Sequence, residues 1–137
     1  MNIKIKKQII KDITDHAKAL KPIECCGYLA GQNGEITTQF RMTNVDNSHD
    51  HFSFDPKEQF QVVKEARKQG LDLMSVYHSH PETPARLSQE DLRLLNDPNM
   101  IYIIVSLMNR EADVKAFKIT KPSDDNITIE AVTIIEI

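Results

Sequence analysis

A mixed α/β fold, with one central mixed sheet and three main helices, is the class that this 137-residue chain predicts. Three observations point to it: apolar residues at helical spacing near the start, short apolar runs parted by turn residues thereafter, and helix-start signals before two further segments. After a short N-terminal strand, Ile9, Ile10, Ile13, Ala17 and Leu20 recur at helical spacing, predicting an amphipathic helix over residues 6–20 that Pro22 ends. CCGYLAG and EITTQFRMTNV follow as strands, and Asn33-Gly34 between them is a strong hairpin signal. Asp55 and Pro56 open a second helix, Glu58 completes its acidic first turn and Gly70 ends it. Phe60, Val63 and Lys64 or Arg67 mark its faces, the inward one covering the sheet.

LDLMSVYHSH is expected as a strand, buried in its apolar first part and carrying functional side chains at its exit. A helix from Ser88 to about Asn96 precedes IYIIVSLM, a central strand, and EADVKAFKIT returns from it through Asn109 and Arg110. In NITIEAVTIIEI, Ile127, Ile129 and Ala131 alternate with Thr128 and Glu130, which reads as a half-exposed strand at the sheet's edge. No repeat, low-complexity stretch or linker interrupts the chain, so residues 1–137 read as one domain, of a size that buries about two thirds of its unfolded surface.

Lys and Arg total 17 against 20 acids, a net charge of -3, so no basic field recommends nucleic acid as a partner. The lysines of MNIKIKKQII are interleaved with isoleucine, unlike a signal peptide, and no apolar stretch approaches the roughly 18 residues of a spanning helix. No membrane partner is expected, and the location expected is the cytoplasm. Cys25 and Cys26 are adjacent, which relaxed disulfide geometry scarcely permits, so they read as packing thiols in a reducing compartment.

The chemistry concentrates in YHSHPETPARLSQEDL. Side chains two apart on a strand share a face, so His78 and His80 can turn towards one cation while Ser79 faces away. Pro81 and Pro84 break the strand, and Ser88 looks like the cap of a helix that carries Asp91 back past the imidazoles. Two neutral imidazoles and a carboxylate make a catalytic zinc set with a fourth position open to water. Taken singly, each residue has a plainer role: an HxH pair on a strand is commonly surface histidine, and Ser88 with Asp91 also spells a capping box. His49 and His51 repeat the HxH spacing in a polar loop with Asp46 and Asp50 nearby and read as loop residues. His16, on the first helix, reads as a surface residue.

The whole string, HSHP, six residues, Ser88, two residues, Asp91, resembles the signature of the JAMM (MPN+) metallopeptidases, which adds a distant glutamate. Glu24 of PIECCGYLAG, just before a small and apolar strand, stands where that family places it. HFSFDPKEQF, the helix after it and MIYIIVSL extend the likeness to the compact prokaryotic branch, over roughly the whole chain. The resemblance implies an MPN/JAMM-like, cytidine-deaminase-like architecture with the sheet sandwiched between helices and the site in a groove beside the sheet. It implies one Zn2+ per chain on His78, His80 and Asp91, Glu24 as general acid/base and Ser88 as donor to the oxyanion. It further implies hydrolysis of a peptide or isopeptide bond after the Gly-Gly end of a small ubiquitin-like sulfur-carrier protein.

Two other readings stand beside it. One is a non-catalytic protein-binding module of the same fold; relatives that serve so have lost the ligands, and this chain keeps all five residues. The other is a metal-dependent hydrolase of small amides with no protein partner. The length excludes a barrel amidohydrolase of about 250 residues. Pro81 and Glu82 after His80 break the metallo-beta-lactamase string, and no histidine after His80 is left for a cupin.

Overall fold

A computed structural model describes residues 1–123 and 125–137. The elements run β1 (Asn2–Ile5), α1 (Lys7–Leu20), β2 (Cys26–Gln32), β3 (Glu35–Met42), α2 (Pro56–Lys68), β4 (Asp72–His80), α3 (Gln89–Leu94), β5 (Ile101–Ser106), β6 (Asp113–Ser123) and β7 (Asn126–Glu136). The expected class holds: one mixed sheet and three helices.

Local chemistry explains the element ends. Asn33 and Gly34 both take positive φ, 55° and 75°, the left-handed pair that a two-residue hairpin between β2 and β3 requires. The Asp55 carboxylate accepts the Lys57 N–H and Pro56 opens α2. Gly70, at φ 69°, closes it: the N–H of Gly70 donates to the Arg67 carbonyl and that of Leu71 to the Ala66 carbonyl, using acceptors a helix end leaves free.

The sheet order is β3-β2-β4-β5-β6-β7, and β1 joins β7 to β3 so that the strands form a closed ring. β1 is parallel to both neighbours and β4 to β5, while the remaining pairs are antiparallel. One face of the sheet packs Leu29, Ile36, Tyr77, Ile103 and Val105 against Ile9, Ile13 and Ala17 of α1. The other packs Cys26, Tyr28, Val76 and Tyr102 against Val62 of α2, Leu95 after α3, and Phe52 and Phe54 of the loop before α2. Cys25 and Cys26 are therefore both core residues, one in each layer. No helix among the described residues is long and apolar enough to cross a membrane.

Four local expectations need correction. β7 is not an edge: it pairs with β6 on one side and β1 on the other. Its inward residues are Val132 and Ile134, whereas Ile127 and Ile129 are exposed, because register against two neighbours, not alternation alone, decides which face points inward. In β4 the buried half is the second, Ser75 to His80, and Asp72 is exposed, because that half runs between β2 and β5. Phe60 is 65% exposed, its ring under the Lys64 ammonium; the inward side of α2 is formed by Val62 and Ala66. His16 is only 4% exposed: it lies on the same stripe as Ile9, Ile13 and Ala17, and its Nδ1 meets the Tyr77 hydroxyl at 2.7 Å.

Candidate active site

The antiparallel pairing of β2 with β4 sets Cys26 opposite His78, and the Ser79 N–H donates to the Cys25 carbonyl at 3.1 Å. Continuing that register two residues past the start of β2 places Glu24 opposite His80. Residues directly opposite in an antiparallel pair share a face, so Glu24 joins His78 and His80 on one side, with Ser79 on the other.

Asp91 arrives by α3. The Ser88 hydroxyl oxygen accepts the Asp91 N–H at 3.0 Å and the Ser88 N–H donates to Asp91 Oδ2 at 3.0 Å, a reciprocal cap that fixes the carboxylate at the helix start. The carboxylate then meets both imidazoles: His78 Nε2 lies 3.1 Å from Oδ1, and His80 Nε2 lies 3.0 Å from Oδ2. All three side chains are buried, and their candidate ligand atoms lie within 4.8 Å of one another.

The tautomers make this cluster informative. His80 Nδ1 donates to the Pro84 carbonyl at 2.8 Å, which leaves Nε2 as a lone pair in the neutral ring. That lone pair faces His78 Nε2 at 3.2 Å as well as the carboxylate. Either a hydrogen on His78 Nε2 or a cation must lie among these groups, and the N, N, O donor set fits Zn2+. Phe52 stacks on the His78 ring with centroids 4.8 Å apart, forming an apolar wall beside the cluster.

Glu24 is 2% exposed and its Oε1 has no hydrogen-bond partner among the described residues. Burial, then the negative charges of Asp91 and Asp50, pushes its carboxyl up to about 9. Burial alone would raise Asp91 too, but the His78 and His80 rings at its two oxygens and the Ser88 N–H hold it well below the usual carboxylate range. Two buried carboxyls with opposite shifts, one up and one down, are the division of labour that acid–base chemistry uses.

The structure thus brings His78, His80 and Asp91 together, with Ser88 capping the helix that carries Asp91 and Glu24 in register opposite His80. His49 and His51 stay on the loop, outside the three-residue cluster; His51 Nδ1 donates to Asp46 Oδ2 at 2.9 Å. Sequence reasoning missed Phe52, whose signal was an aromatic set inside the polar run NSHDHFSF, and Ser79, whose hydroxyl accepts the Cys25 N–H at 2.8 Å.

A mixed sheet between helices, with two imidazoles at the end of one strand and a carboxylate from the start of the next helix, defines the class as JAB/MPN-like. Residues 6–120 match the family of prokaryotic homologs of the JAB domain, and the chain belongs to that family. It is 28% identical over 135 residues to a CysO-cysteine peptidase of Mycobacterium tuberculosis, spanning 96% of this chain and 90% of the relative. It is 29% identical over 111 residues to a desampylase of Pyrococcus furiosus, spanning 79% and 77%. Among solved structures, a Desulfitobacterium hafniense protein superposes with a TM-score of 0.83 at 36% identity, over 98% of this chain and 94% of that one. A JAB1/MPN domain protein of Archaeoglobus fulgidus shares the fold, with a TM-score of 0.63 at 19% identity over 98% of each chain.

Proposed function

We propose that this protein is a zinc metallopeptidase that hydrolyses the bond after the C-terminal Gly-Gly of a small ubiquitin-like sulfur-carrier protein. The observation that carries this reading is the convergence of His78 Nε2, His80 Nε2 and the Asp91 carboxylate, with Glu24, buried and its Oε1 unpartnered among the described residues, in register opposite His80. Zn2+ held by those three side chains would supply Lewis acidity, lower the pKa of water to about 7 and draw Glu24 back towards its ionised form.

Glu24 takes the proton of the attacking water and returns it to the leaving amine, a role suited to a carboxyl held in a dry pocket. Ser88 accepts the Asp91 N–H through its oxygen, which leaves its hydroxyl hydrogen free to donate to the carbonyl oxygen as charge develops there. His80 keeps its Nε2 presented because Pro84 holds the opposite nitrogen. Kinship with a CysO-cysteine peptidase and a desampylase supports a protein substrate. A tail bound in extended form in the groove would gain backbone hydrogen bonds, and glycines suit a narrow slot.

The test is a comparison of two substrates by mass spectrometry: a carrier protein extended beyond Gly-Gly, and a short peptide of the same tail. Cleavage of the carrier at Gly-Gly, abolished by a chelator and restored by zinc, is the expected result. Equal turnover of the free peptide would make it a hydrolase of small amides. Metal-free protein that binds the carrier without cutting it would make it a binding module.

A further inference from the structure

The loop between β3 and α2, residues 43–55, is polar, yet one buried side chain organises it. Asn44, 6% exposed, donates through Nδ2 to the carbonyls of Glu24 and His51, each at 3.0 Å, and reaches that of Ser48 at 3.5 Å. Its Oδ1 accepts the N–H of Asp46 at 3.1 Å and that of Ser53 at 3.4 Å. The Ser48 carbonyl in turn accepts the Glu24 N–H at 2.9 Å. Glu24 precedes the first ladder pair of β2, so its two backbone groups are held by this loop and not by the sheet.

We propose that Asn44 is the positioning residue for Glu24, holding the carboxyl in line with the His78, His80 and Asp91 cluster through the Glu24 backbone. The proposal rests on the reading of Glu24 as general acid/base. A primary amide supplies two donors and a two-lone-pair acceptor in one planar group, and Asn44 spends both kinds on this loop. Asn44→Asp keeps the shape and the Oδ1 acceptor but turns the donor end into an acceptor that faces two carbonyls. That repulsion moves Glu24 without touching any of the three cluster residues.

The experiment is a kinetic double-mutant cycle on the zinc-loaded full chain, with a Gly-Gly-extended carrier as substrate: wild type, Asn44→Asp, Glu24→Gln and the pair. Asn44→Asp is expected to lower kcat by roughly tenfold to a hundredfold, the cost of a misplaced catalytic group, with KM within about threefold and zinc content unchanged. In the Glu24→Gln background it should cost nothing more. Full activity of Asn44→Asp, or an equal further loss in the Glu24→Gln background, overturns the proposal. Should Asn44→Asp not fold, Asn44→Ser takes its place in the same cycle, and collapse of both assigns Asn44 to stability alone and also overturns it. Failure of the underlying reading looks different: Glu24→Gln itself would then cleave at the wild-type rate.

Discussion

Ser79 holds Cys25 twice: its hydroxyl oxygen accepts the Cys25 N–H at 2.8 Å, and its own N–H donates to the Cys25 carbonyl at 3.1 Å. Ser79 lies between the two histidines and Cys25 follows Glu24, so this pair ties the end of β4 to the residue that faces it. Ser79→Ala strands a buried N–H, and the expected cost is about 1–3 kcal/mol of stability, read by denaturant unfolding. A loss below about 0.5 kcal/mol would show that the hydroxyl does not hold the two strand ends together.

Glu24 links the site to pH. In the metal-free protein its carboxyl, raised from 4.5 to about 9, favours the protonated form, so the folded state binds a proton that the unfolded chain has released. The stabilisation is complete below the unfolded value and drains away as pH rises through the folded one. Melting temperature in chelator should therefore fall between about pH 5 and 9, and Glu24→Gln should flatten that slope. With zinc, the same variant should keep its metal and lose cleavage about a hundredfold or more. Parallel melting curves for the two proteins would refute the first statement, retained cleavage the second.

Ser88→Ala separates a cap from a catalytic donor. Loss of the cap costs about 1 kcal/mol, a few degrees of melting temperature for a chain of this size. Loss of an oxyanion donor costs about a hundredfold or more in turnover. The expected result is a strong fall in kcat with a small fall in Tm. A large fall in Tm with turnover kept would leave Ser88 with the helix alone.

His16 and Tyr77 form a second pH-dependent pair, in the layer under α1. Burial, then the Arg41 charge, lowers His16 from 6.5 to about 4, so the folded state prefers the neutral ring that meets the Tyr77 hydroxyl. This stability is present above 6.5 and lost as pH falls through about 4. His16→Gln should flatten the acid limb of the stability curve, whatever it costs near neutrality. An unchanged acid limb would show that His16 does not report on that layer.

Zinc should bind where acceptors converge. Added zinc is expected to raise the Tm of wild-type protein by linkage and to leave Asp91→Ala nearly unmoved. An equal shift in both proteins would place the metal elsewhere.

Much of this protein could be read along the chain. The hairpin at Asn33-Gly34, the start of α2 at Asp55-Pro56, its end at Gly70 and the cap at Ser88 each depend on two to six neighbouring residues, so the sequence carries their cause directly. The candidates His78, His80 and Asp91 were legible for the same reason: strand periodicity, a proline break and a helix cap are local. Glu24 needed the family likeness, because nothing within PIECCGYLAG marks a buried acid.

Other features follow from partners distant in the chain. Whether β7 is an edge depends on β1, more than a hundred residues away, and its inward face follows from that pairing. His16 looked like surface because its partner, Tyr77, is 61 residues on. Nothing near Asn44 in the sequence marks it, because its amide is set between the carbonyls of Glu24 and His51 by tertiary contacts. Turns, caps and periodicity are settled by atoms a few bonds apart, so sequence alone determined them. Register, closure and the burial of polar groups are settled by which surfaces meet after the chain has folded, and only the tertiary structure decided those.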